Sequence, residues 1–102
     1  MRKGVLELCI LSIIAEQEQV YSKYIIDKLK SSKMLVAEGT IYPLLTRLKN
    51  AALLEYTWVE SDSGPPRKYY KITETGREVL VGLLESWNQL VHAVEELSLI
   101  HI

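Results

Sequence analysis

Cysteine occurs once, at Cys9, within an apolar run. One thiol cannot close an intrachain disulfide or build a multi-thiolate metal site, so a structural cysteine in a reducing, cytoplasmic setting is expected. Long hydrophobic runs are also missing. Residues 5–15 are apolar, but Glu7 and Ser12 interrupt them and no cleavage pattern precedes Glu16. A secretory signal is therefore not expected, and the stretch falls short of the roughly 20 residues that span a membrane. Nor is there an excess of one charge: 12 Lys/Arg against 13 Asp/Glu leave a formal −1, which by itself gives no argument for nucleic acid. The groupings that carry catalysis are absent as well. No supported Ser/His/Asp set, carboxylate cluster, phosphate-cradling glycine loop or metal-ligand spacing can be found, and His92 and His101 stand alone. Neither an enzyme nor a bound cofactor or metal is expected.

What the sequence does contain is enough apolar material for one small domain: 102 residues, 48% hydrophobic, somewhat generous for a monomer. Charge is unevenly spread. Residues 1–72 carry 11 Lys/Arg against 8 Asp/Glu, a net of +3, whereas residues 73–102 carry 1 against 5, a net of −4. A mildly basic working part is followed by an acidic remainder.

The most informative stretch is residues 38–50. Ile41, Leu44, Leu45 and Leu48 recur at the spacing of one buried helical stripe. The other side carries Gly39, Tyr42, Pro43, Thr46, Arg47 and Asn50, with no carboxylate after Glu38. Small residues, short donors and one guanidinium suit a helix entering a DNA groove. An ordinary solvated amphipathic helix fits the same pattern. Two starts are open for this helix. From Ala37 or Glu38, Pro43 would cost the helix a hydrogen bond; with Thr40 as cap and Pro43 in the first turn, it would not. A tight or slightly irregular first turn is expected.

Upstream, residues 4–16 read as a helix with two apolar stripes. Leu6, Cys9, Ile10 and Ile13 form one, and Leu8, Leu11 and Ala15 the other, so a partner subunit is expected to cover the second. Residues 21–32 read as a second helix with Ser22 as its N-cap. Downstream the period changes to two. Leu54, Tyr56 and Trp58 share one side of a strand and Glu55, Thr57 and Val59 the other. Residues 62–66 (Asp-Ser-Gly-Pro-Pro) signal a turn, and residues 67–72 a returning strand. The tip of this two-stranded hairpin carries Gly64, Pro65, Pro66, Arg67 and Lys68, suited to phosphate contact; a plain hairpin made soluble by cations is the alternative. Three helices and a hairpin are the order of a winged helix.

Thr73 then caps a last helix, with Glu74 complementing its dipole. Leu80, Leu84, Trp87, Val91 and Val94 run down one face, widened by Leu83 and Leu90. Three short helices cannot cover so long a stripe, so its distal half is expected to pack on a second chain. Trp87 is a core or interface residue in the simpler reading. In the sharper one, two Trp87 rings face each other and form a slot for a planar aromatic ligand.

Residues 2–8 (Arg-Lys-Gly-Val-Leu-Glu-Leu), 38–48, 64–70 (Gly-Pro-Pro-Arg-Lys-Tyr-Tyr) and 73–76 (Thr-Glu-Thr-Gly) together resemble the PadR family of bacterial transcriptional regulators, in its short form with a single C-terminal helix. Glu85-Ser86-Trp87 further resembles the multidrug-sensing branch. The resemblance implies a mainly α fold with a two-stranded β-hairpin. Residues 1–72 would be a winged helix-turn-helix DNA-binding domain and residues 73–102 a long C-terminal dimerisation helix. It also implies a homodimer on inverted-repeat operators of double-stranded DNA, acting as a repressor that a small molecule or stress signal releases. By position, Ser22, Gly39, Thr40, Tyr42, Pro43 and Arg47 would serve DNA from the helices, and Gly64, Arg67 and Lys68 from the wing. Leu8, Leu11, Leu84, Trp87, Val91 and Val94 would form the dimer and effector interface.

Two positions depart from the family pattern. Ser22 and Ala52 stand where glycine is usual, and a left-handed backbone at Ala52 would make Ala52→Gly stabilising. The last six residues match the translation of a common transposon-sequencing adaptor, and no role is assigned to His101. The alternative function is a winged helix used only for protein–protein assembly. Salt-dependent duplex binding separates the two readings.

Overall fold

The computed structural model describes residues 3–34 and 36–98. Arg2 of the N-terminal motif and residues 99–102 lie outside the described residues. The elements run α1 (Lys3–Ala15), β1 (Val20–Tyr21), α2 (Ser22–Ser31), α3 (Glu38–Asn50), β2 (Leu54–Ser61), β3 (Gly64–Ile72) and α4 (Glu74–Leu97).

One apolar core joins all of them. Ile10, Leu11 and Ile14 of α1, Ile25 of α2, Ile41 and Leu45 of α3, and Leu54 of β2 are all but completely buried. The expected stripe of α3 is the buried one: Ile41, Leu44, Leu45 and Leu48 all face inward. On α1 the expectation needs correction. Leu11 is fully buried and Leu8 nearly so by the chain itself, because α2, α4 and β3 all pack on this helix. Enclosure on two sides leaves Leu11 nothing to offer a partner.

The sheet has a third strand beyond the expected hairpin. Its order is β1-β3-β2, with Val20 opposite Tyr70 and Tyr21 opposite Tyr69. The hairpin register pairs Leu54 with Ile72, Tyr56 with Tyr70, Trp58 with Lys68 and Val59 with Arg67. Its turn is shorter than the breaker residues indicated. Gly64, Pro65 and Pro66 belong to β3, leaving only Asp62 and Ser63 between the strands. The prolines are tolerated there because β1 reaches only Tyr69 and Tyr70, so the distal part of β3 is an edge, and the register breaks between Val59 and Ser61.

Helix ends follow local hydrogen bonding. Tyr21, not Ser22, holds the N-cap position of α2, and Ala37, not Thr40, that of α3; neither side chain caps. Pro43 therefore lies inside α3. The first turn is tight as expected, with Thr40 N–H donating to the Ala37 carbonyl at 2.9 Å. Both α2 and α3 end in the same left-handed motif. Lys33 and Ala52 sit at φ 61° and 62°. The N–H of Met34 reaches Leu29 and that of Leu53 reaches Leu48, each at 3.0 Å.

Thr73 pins α4 to the end of α3. Its hydroxyl donates to the Ala52 carbonyl at 2.7 Å and accepts from Gly76 N–H at 2.9 Å, the expected cap. Gly76 is buried there, and a Cβ would lie 2.1 Å from the Leu53 carbonyl oxygen, so only glycine fits. From this anchor α4 runs 24 residues, about 36 Å at 1.5 Å per residue. Only Gly76 and Leu80 of it are buried. The helix outruns the core, giving a molecule 55 Å long and 27 by 21 Å across.

Candidate nucleic-acid interface

The exposed side of α3 faces away from the core, and its composition follows from the helical repeat. Gly39, Pro43, Thr46 and Asn50 are exposed along its middle, opposite the buried leucines. Tyr42, exposed on one margin, shares a shallow depression with Lys23, Ile26, Asp27, Lys30 and Glu38. Lys30 and Glu38 pair across it at 3.8 Å, and Lys23 and Asp27 pair along α2 at 3.4 Å. Both pairs are largely exposed and contribute little to stability. Thr40 is exposed, and Ser22, the first residue of α2, is half-buried.

Arg47 is placed differently from the expectation of a free cation. It lies on the other margin, half-exposed, and its guanidinium pairs with the Glu7 carboxylate of α1. Its charge is already answered within the chain.

The wing separates Arg67 from Lys68. Alternation along β3 puts Lys68 on the face of Tyr56 and Tyr70, toward α3, and Arg67 on the opposite face. They are not at the tip but opposite Trp58 and Val59. The Arg67 guanidinium lies over Tyr21 of β1, 4.9 Å from the ring centroid. The Lys68 ammonium lies over Tyr56 at 4.5 Å and near Trp58 at 5.6 Å. Lys71 is paired with Glu55 at 3.3 Å, so it adds little positive potential. Gly64 is exposed near the tip, and Trp58 is 62% exposed, an unusual extent for indole.

Sequence reasoning missed Lys49. It projects from the last turn of α3 to 5.7 Å from the Tyr56 ring, on the side of Lys68. The helix wheel placed it between the exposed and buried sides, and only the fold brings the wing to it.

Residues 10–81 match the transcriptional regulator PadR-like family. The chain belongs to this family. Like the family, it is a DNA-binding transcriptional regulator. A PadR-like transcription factor from Bacteroides fragilis is 52% identical, with 96% of this chain and 94% of that one covered at a TM-score of 0.83. A PadR-like regulator from Bacillus cereus is 44% identical over 93% and 92% of the two chains, with a TM-score of 0.81. An uncharacterised protein of Lysinibacillus sphaericus is 27% identical over 96 residues, 91% of this chain and 87% of that one. The structural likeness thus reaches beyond the matched residues into α4.

In this PadR-like chain the second notable surface lies on α4. Val81, Leu84, Trp87, Leu90, Val94 and Leu97 are all exposed, Val91 half so. Between α1 and α4 runs an apolar groove of about 350 Å³, lined by Gly4, Val5, Leu8, Leu83, Trp87 and Leu90. Leu8 thus forms the floor of the groove, although little of it is exposed. No helix among the described residues is long and apolar enough to cross a membrane.

Proposed function

We propose that this chain acts as a homodimeric repressor on inverted-repeat operators. The carrying observation is the outward face of α3, where Gly39, Thr40, Tyr42, Pro43, Thr46 and Asn50 are exposed and whose far end, at Thr46 and Asn50, borders the cationic side of the wing. Short polar groups and glycine let backbone and side chains approach base edges, while lysines meet phosphate. Two such helices would occupy successive major grooves about 34 Å apart, with the wings carrying Gly64, Arg67 and Lys68 on the flanks. Ser22, at the start of α2, would add a backbone contact, and Arg47 would contribute from the margin after exchanging Glu7 for phosphate. In this reading residues 1–72 form the DNA-binding domain and residues 73–102 the dimerisation helix.

The uncovered stripe of α4 supports the dimer. An apolar face of this length is normally covered, and Leu84, Trp87, Val91 and Val94 supply it. Leu8 would join it as the groove floor. A planar aromatic effector in the Trp87 groove would release DNA by favouring a dimer arrangement whose reading heads no longer match the operator spacing.

Fluorescence anisotropy of a labelled duplex tests the DNA part. Affinity should fall linearly in log–log form with salt, and Arg67→Ala should weaken binding while the chain stays folded. Its melting temperature should be lowered by no more than a few degrees for the lost Tyr21 contact. Duplex binding that is absent or indifferent to salt would instead favour a protein-assembly module. For the effector, Trp87 fluorescence should be quenched by some planar aromatic compounds. A broad panel without quenching would remove that part.

A further inference from the structure

The junction between α3 and the wing holds a small cleft of about 100 Å³, lined by Thr46, Lys49, Asn50, Tyr56, Lys68 and Tyr70. That is well below the roughly 300–1,000 Å³ of sites for drug-sized ligands, and suits one small polar group. No carboxylate lines it. Every polar side chain in it is a cation or can donate: two ammoniums, one amide and three hydroxyls. Burial, and then the neighbouring Tyr56 and Tyr42, push the Tyr70 hydroxyl above its ordinary range, so it keeps its proton at neutral pH.

The two ammoniums line the same cleft, and each lies within about 6 Å of the Tyr56 centroid. Lys23, Lys30 and Lys71 each have a carboxylate partner, but among the described residues neither Lys49 nor Lys68 does. An anion placed in the cleft is attracted by both ammoniums and supplies the counter-charge that they lack. Their flexible four-carbon stems allow both to converge on one group.

We propose that this cleft binds a single phosphodiester of the DNA backbone, shared by Lys49 from α3 and Lys68 from the wing. Sharing couples the helix to the wing: one phosphate sets the angle of both on the duplex. Tyr56 beneath the ammoniums limits their freedom, and Thr46 and Asn50 supply neutral donors. The inference rests on the DNA-binding reading above and adds residues and a stoichiometry to it.

The test uses the full chain and a fluorescein-labelled mixed-sequence duplex of roughly 30 base pairs, long enough for two half-sites. Anisotropy is followed across a salt series for the unaltered chain, Lys49→Gln, Lys68→Gln and the double variant. Lys49 is exposed and Lys68 half-buried, and each change removes only a cation–ring contact, so melting temperatures should fall by no more than a few degrees. Each single change should weaken binding several-fold. In the double variant the log–log salt slope should become shallower by about 1.8, one phosphate lost per subunit at roughly 0.9 each. A change of about 3.6 would mean separate phosphates and overturn the shared cleft. An unaltered affinity and slope in the double variant would overturn it as well, leaving DNA binding intact. If the unaltered chain shows no salt-dependent binding, the DNA-binding reading fails first and this inference with it.

Discussion

At the scale of single residues, the strongest constraints surround the turn after α3. Ala52 occupies the left-handed region at φ 62°, where a Cβ crowds the backbone. The hydrogen bonds that hold it there do not depend on its side chain: its N–H donates to Lys49 at 2.9 Å and its carbonyl accepts from Thr73. Ala52→Gly should therefore stabilise the fold by about 1 kcal/mol, raising the melting temperature by a few degrees. A lower melting temperature would show that the loss of chain stiffness outweighs the relieved strain. Cys9 is half-buried, and burial pushes its thiol up, which agrees with a structural role. Some residue roles were beyond sequence reading. Glu7 and Arg47 are separated by 40 positions along the chain, and no local pattern links them. The same holds for Lys49 and Lys68.

At the scale of elements, periodicity was the reliable signal. Four apolar residues at helical spacing placed the buried side of α3 correctly, and alternation placed Tyr56 and Trp58 on one side of β2. What failed was short or depended on tertiary pairing. A two-residue strand carries no alternation, so β1 was invisible until Tyr69 and Tyr70 provided its partner. Gly64-Pro65-Pro66 read as a turn because local propensity favours one, yet an edge strand absorbs them. The cap of α2 was misplaced by one residue for a similar reason, and of the two starts open for α3 the earlier is the one taken. Ser22 and Thr40 are good caps in isolation, but the backbone turns before them. The distal half of α4 offers the clearest prediction at this scale. Leu84 and Val94 are 40% and 53% exposed in the protomer, so glutamate there should leave the fold intact. The proposed dimer would lose its apolar contact. Sedimentation should give about twice the 11.7 kDa chain mass for the unaltered protein and the single mass for Leu84→Glu with Val94→Glu. A monomer before substitution, or a dimer after it, would argue against α4 as the seam.

At the scale of the whole molecule, the fold separates two tasks. A core at one end presents α3 and the wing, and α4 extends from it as an apolar arm. Near-neutral overall charge does not oppose DNA binding, because steering depends on local potential. Residues 73–102 are net acidic because they hold one cation against five carboxylates. Residues 1–72 are net basic and, among the described residues, leave Lys49 and Lys68 without a carboxylate partner. Two copies joined along α4 would fix the distance between their reading heads, and that distance decides which DNA is bound. The most direct measurement is a footprint of the protein on the DNA upstream of its own gene. The regulator reading predicts two protected half-sites in inverted repeat, their centres one helical turn or a multiple of it apart. Protection of a single unrepeated site, or none at any salt concentration, would contradict it.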